Sequence, residues 1–126
     1  MNGREMEVFV PGRTIVETSL HGVPMLTIVG EADHTVGPEL TQAVRRALDS
    51  GGAHIFLELG ACPYLDSGGL NVLVQLVHDV EPAGWVGVIQ ASRMILRLLE
   101  LIGLTTYGGL RIFENLEDAG AAAAAI

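Results

Sequence analysis

Two pairs of adjacent polar residues carry the side chains from which a reaction or a binding site can be assembled: Asp33-His34 and Asp66-Ser67. Two carboxylates can divide general acid and general base work when their surroundings push their pKa values apart. A histidine can move protons, and a serine hydroxyl can act as a nucleophile or accept a phosphate. Gly68, Gly69 and Leu70 follow Ser67 directly. The two glycines lack a Cβ, so the backbone there can turn tightly and another molecule can approach it closely. Asp and Ser also cap helix N-termini by accepting hydrogen bonds from free N–H groups. The positive end of a helix dipole attracts anions. The stretch from Tyr64 to Leu70 therefore suits a phosphate, an anion or a docking partner.

Each residue also has a plainer reading. Ser67 serves equally as a helix cap with no further role. Asp33 and Asp66 are general acid and base, holders of a partner's metal, or simply turn and cap residues. Neighbours in sequence such as Asp33 and His34 rarely aim at one target, and His21 beside Gly22 reads as a solvated turn. Asp-Ser-Gly-Gly also surrounds the nucleophile of chymotrypsin-like proteases. Here Leu65 stands where that motif has a glycine, and Leu70 where it has a proline. Such hydrolysis also needs a base and an orienting acid on a large all-β scaffold, which a short chain alternating strand with helix does not provide.

Composition removes further classes. The chain has no lysine; its seven basic residues are all arginines. A Walker-type phosphate loop, a Schiff base and a phosphoryl-receiver site all need a lysine amine. A net charge of −8 makes nucleic acid and anionic membrane poor partners and a basic protein surface a better one. The single cysteine, Cys62, permits neither an internal disulfide nor a cysteine-based metal site, which suits a reducing cytoplasm. No metal or cofactor is expected. No direct membrane insertion is expected either, since no apolar run approaches the ~20 residues that span a bilayer. Met1 to Glu5 lacks the layout of a signal peptide. At 126 residues and 49% apolar, the chain is expected to fold as one domain.

The elements that must position these residues can be read from pattern. Met6 to Val10, Thr14 to Thr18 and Met25 to Val29 read as strands, with His21-Gly22 as the turn of a hairpin. Gly37-Pro38 starts a helix whose Leu40, Ala43, Val44, Ala47 and Leu48 form one apolar face. Gly51-Gly52 ends it. Ile55 to Leu59 reads as a buried strand, and Leu70 to Val80 as a buried helix. Pro82-Ala83-Gly84 breaks that helix before a strand at Trp85 to Ile89. Ser92 caps a helix whose Ile95, Leu98, Leu99 and Ile102 face the core. Its Arg93, Arg97 and Glu100 form a polar stripe, either a solvated face or a contact for an acidic partner. Gly103 sits at a left-handed C-cap position. Leu110 to Phe113 reads as a last strand, and Asn115 with Asp118 as the cap of a final helix, which Ala121 to Ala125 either continues or frays. The order β-β-β-α-β-α-β-α-β-α gives an α/β domain in which partners meet loops at the carboxyl ends of strands.

Asp66-Ser67-Gly68-Gly69-Leu70 resembles the Asp-Ser-Ser/Thr-Gly-Leu signature of STAS domains, the family of bacterial anti-sigma factor antagonists. Gly30-Glu31-Ala32-Asp33 is similar to the family's Gly-Glu-Leu-Asp. Ser92 to Gly103, with Arg97-Leu98-Leu99 and closing Leu101-Ile102-Gly103-Leu104, is similar to its third helix and exit. The matches fall in the family's order across residues 8 to 118. The resemblance implies a single STAS-like α/β domain over 1–126, with its core at 8–118 and an alanine-rich tail at 119–126. Its sheet would be mixed, of about five to six strands, with about four helices.

As function, the resemblance implies a cytoplasmic binding module with no catalytic activity. It would occupy an anti-sigma factor bearing a serine-kinase ATPase domain and free a sigma factor, regulating transcription by partner switching. Phosphorylation would prevent docking, and a serine phosphatase would restore it. The partner-binding residues would be Asp33, His34, Asp66, Ser67, Gly68, Gly69 and Leu70, with Ser67 the phosphorylation candidate. The sequence departs from the family at Gly68, which stands at the usual phosphoacceptor position. Either Ser67 takes over that role or the switch is absent and binding is constitutive. The alternative is a STAS-like accessory subunit of a lipid or anion transport complex, meeting its partner through Val72, Leu76 and Val80.

Overall fold

The structure, a computed structural model, describes residues 6–10, 13–31, 36–49 and 52–126. Asp33 and His34, with Pro11-Gly12 and Gly51, lie outside the described residues. Among the described residues, six strands form one sheet in sequential order: β1 (Met6–Val10), β2 (Arg13–Leu20), β3 (Val23–Gly30), β4 (Ile55–Glu58), β5 (Val86–Ile89) and β6 (Leu110–Phe113). The first three pair antiparallel, whereas β3 to β6 run parallel. The turn joining β2 to β3 holds His21 at φ 48° and Gly22 at φ 83°. Two left-handed residues in a two-residue loop match the twist of the strands they join.

Parallel neighbours need crossovers, and α1 (Val36–Asp49), α2 (Ser67–Val80) and α3 (Arg93–Leu101) supply them. A short 3₁₀ turn at Leu104–Thr106 leads from α3 into β6, and α4 (Leu116–Ala124) closes the chain. Alternation along each strand divides the core between two faces. Ile55 and Leu57 of β4 join the cluster that includes Leu40 and Val44 of α1, Leu73 and Val77 of α2, and Ile95 and Leu99 of α3. Phe56, between them, points the other way and joins Trp85, Ile89, Ala119 and Ala123. Both faces of the central strands are thus covered, which is why β4 and β5 read as unbroken apolar runs.

α4 meets the sheet through small buried residues, Ala119, Gly120 and Ala123. A Cβ placed on Gly87 would lie 2.6 Å from Phe56 Cδ1 and 2.9 Å from Phe113 Cε2, so the bare backbone of β5 is what lets those rings close over it. The rings then meet at centroid distances of 5.1 Å for Phe56–Trp85 and 5.9 Å for Phe56–Phe113. The alanine-rich segment continues the last helix through Ala124 and buries Ala119 and Ala123 against this cluster.

Three details differ from the sequence reading. α2 starts at Ser67, three residues before the expected Leu70. Leu98 is only half-buried and Ile102 is 45% exposed, so α3 buries just Ile95 and Leu99. Leu76 and Val80 lie in the core rather than on a surface available to a partner.

Candidate functional site

The connection from β4 to α2 is built by successive backbone and side-chain hydrogen bonds. Leu59 N–H donates to Ile89 O at 2.9 Å, carrying the ladder one residue past β4. Gly60 N–H then donates to Glu58 Oε1 at 2.7 Å, and Cys62 N–H to Leu59 O at 3.0 Å, which turns the chain back. Cys62 and Leu65 are buried and anchor the loop, while Tyr64 stays exposed. The Cys62 thiol donates to Tyr64 O at 3.4 Å.

Asp66 closes α2 as its N-cap. Its backbone is extended at φ −88° and ψ −175°, and its Oδ1 accepts from Gly69 N–H at 3.0 Å. Leu70 N–H bonds the Asp66 carbonyl at 2.8 Å, the first full helical turn. Ser67 follows as the first helical residue with its side chain exposed, Gly68 is half-exposed, Gly69 is buried and Leu70 is half-buried. The side-chain cap comes from Asp66, and Ser67 is left exposed at the helix N-terminus. Chemically this is a hydroxyl beside a carboxylate, at a place where the helix favours an added negative group.

A second loop meets this one. Gly30 N–H donates to Ala61 O at 2.9 Å, tying the end of β3 to the loop that leads to Asp66. The segment carrying Asp33 and His34 leaves from that end, and the described residues stop at Glu31. The geometry therefore places the exit of β3 beside the Asp66 loop, while Asp33 and His34 themselves lie outside the described residues.

Below Ser67 runs a groove of about 340 Å³ that no sequence motif announced. Ser67, Leu70, Asn71, Val74 and His78 of α2 form one wall; Ile102, Leu104 and Tyr107 form the other. His78 and Tyr107 meet edge to face at 5.5 Å across its far end. The α2 wall was readable, since Ser67, Asn71, Val74 and His78 recur at i, i+4, i+7 and i+11 on one helix face. The opposite wall was not, because it comes from a connection more than twenty residues away. Among the described residues, no group of three or more His, Cys, Asp or Glu side chains is placed to hold a metal ion. Nor, among them, is any helix long and apolar enough to cross a membrane.

A sequence model of the STAS domain matches residues 15–119. The chain is 26% identical over 106 residues to the anti-sigma-F factor antagonist RsfB of Mycobacterium tuberculosis, covering 84% of this chain and 85% of RsfB. Its fold is similar to the crystal structure of an anti-sigma factor antagonist from Mycobacterium paratuberculosis, with a TM-score of 0.76 and 24% identity over 92% of this chain and 98% of that one. It is also similar to the Bacillus cell fate determinant SpoIIAA in its phosphorylated form, with a TM-score of 0.68 and 15% identity over 86% of this chain and 98% of that one.

Proposed function

We propose that this chain, which belongs to the STAS domain family, is an anti-sigma factor antagonist that works in the cytoplasm by binding rather than by turnover. Its partner is an anti-sigma factor with a serine-kinase ATPase domain; occupying that protein frees a sigma factor. The docking surface comprises the loop carrying Asp33 and His34, the turn from Asp66 to Leu70, and the exposed face of α2. One observation carries the reading. The Asp66 cap starts α2 at an exposed Ser67, and the loop leading to that cap is tied to the end of β3 through Gly30 N–H and Ala61 O.

A phosphate on Ser67 would be tolerated by the helix N-terminus yet would add about two negative charges next to Asp66, enough to oppose an interface. Gly68 offers no hydroxyl, so the switch exists only if Ser67 takes the phosphate. The reading we favour is docking without that switch. Reversal by a serine phosphatase enters only if Ser67 is modified. The transport-accessory alternative is weakened, since two of the three residues it needs at a surface, Leu76 and Val80, are buried.

Affinity purification of the tagged protein from its own cells, with mass spectrometry of what co-purifies, tests the reading. An anti-sigma factor with a kinase-type ATPase domain is expected. Permease or lipid-transport subunits in its place would overturn it. Phosphopeptide analysis after incubation with the recovered kinase then decides between the two forms, with a modified fraction near zero at Ser67 expected for constitutive docking.

A further inference from the structure

α3 is a nine-residue helix with the sequence RMILRLLEL, six of whose residues are apolar, yet only Ile95 and Leu99 are buried. Leu101 is 69% exposed and Met94 46% exposed. Just beyond the helix, Ile102 and Tyr107 are also exposed. Helical spacing puts Met94, Leu98 and Leu101 at i, i+4 and i+7, along one crest. Ile102 continues that crest into the wall of the groove beside Ser67. Groove and crest therefore form one largely apolar surface, interrupted by Ser67, Asn71 and His78, that begins at the turn and crosses from α2 to α3. Contiguous exposed apolar surface of this kind marks an interaction site.

Its charge says what covers it. Among the described residues, no Asp, Glu or Arg lines the groove, although the chain as a whole carries −8. On the far side of the crest, Arg93, Arg97 and Glu100 repeat at the same spacing and all three are exposed. Two arginines against one glutamate make this the locally basic border of an acidic protein. The groove volume falls at the lower end of ligand clefts, about 300–1,000 Å³, enough for a large apolar side chain.

We infer that the docking surface extends over the α2–α3 groove and the α3 crest, where it takes a segment of the anti-sigma factor that inserts large apolar side chains into the groove and presents carboxylates to Arg93 and Arg97. This rests on the function proposed above and adds the chemistry of the partner's segment. Affinity comes from the apolar anchors, and the arginines fix orientation and speed association.

The test is calorimetric titration of the anti-sigma factor recovered from cells against the wild-type protein, Leu101→Asp and Arg97→Glu, with thermal melts confirming that both variants fold. Both sites are exposed, so stability should hold. Leu101→Asp should weaken binding by about tenfold or more, as expected for a desolvated anchor. Arg97→Glu should weaken it about three- to tenfold at low salt, with the loss shrinking as salt rises. Wild-type binding with both variants within twofold overturns the inference and leaves the proposed function standing. Tighter binding by Arg97→Glu overturns the acidic character assigned to the partner segment. Self-association that Leu101→Asp abolishes while anti-sigma affinity is unchanged assigns the surface to a second copy of the chain and overturns the inference. No binding by the wild-type protein overturns the proposed function and the inference together.

Discussion

Asp66 is both a structural cap and a charge at the proposed docking edge, and the two roles can be separated by substitution. Its Oδ1 satisfies Gly69 N–H, and losing an N-cap acceptor costs about 0.5–2 kcal/mol. Asp66→Ala should therefore lower unfolding stability by about 1 kcal/mol in urea denaturation. Asparagine keeps the acceptor oxygen and removes the charge, so Asp66→Asn should retain most of that stability. If the partner contacts the carboxylate itself, Asp66→Asn loses affinity without losing stability. Equal affinity in Asp66→Asn and the wild type would reduce Asp66 to a cap. Ser67 behaves differently: it is exposed and α2 is already capped by its neighbour, so Ser67→Ala should leave the midpoint of unfolding unchanged within error.

At the scale of elements, the α4 layer depends on what is missing from β5. A methyl on Gly87 has rings on two sides, at 2.6 and 2.9 Å, and rings packed on one another cannot both retreat. Overpacking of this kind typically costs about 1–3 kcal/mol, so Gly87→Ala should lower the urea midpoint by a corresponding amount, with unchanged stability refuting the packing described for this face. Gly120→Ala is the contrast. Its Cβ would meet the His21 ring at 3.2 Å, and that ring sits on an exposed turn. Such a ring can move, while alanine gains helix propensity over glycine. Periodicity and punctuation made the elements legible: every strand and helix expected among the described residues is present, down to the caps at Ser92 and Asn115. The start of α2 was missed because Ser67, Gly68 and Gly69 favour helix weakly, and the Asp66 cap sets the boundary instead. The outer face of α3 was misread because Leu98 and Ile102 continue a core pattern that no element among the described residues covers. Tyr107 gave no local signal at all, since it becomes part of a groove only when the α3–β6 connection folds beside α2.

At the scale of the whole molecule, stability should depend on pH through a contact at the opposite end of the sheet from the proposed site. His54 Nδ1 accepts a hydrogen bond from Trp85 N–H at 3.2 Å, and the two rings lie 4.6 Å apart. Arg111 stands over the indole, 5.3 Å from its centroid. A protonated Nδ1 could not accept that bond. Burial first, and the positive charge of Arg111 second, hold the His54 pKa below its ordinary value near 6.5. Between the lowered native value and the ordinary one, the unfolded chain binds a proton that the folded chain does not, so stability rises with pH across that window. The contribution is complete above about pH 6.5 and is lost as pH falls through the native value. The overall charge of −8 acts in the other direction, because acidification relieves self-repulsion as carboxylates are neutralised. A single wild-type profile therefore mixes two opposed effects, and the informative quantity is the difference from His54→Asn, whose side-chain oxygen can accept from Trp85 N–H without titrating in this range. Urea unfolding followed by fluorescence of Trp85, the sole tryptophan, should show the wild type losing more stability than His54→Asn between pH 7 and pH 5. Parallel profiles for the two proteins would mean that the Trp85 bond survives protonation and that His54 adds no pH dependence to the fold.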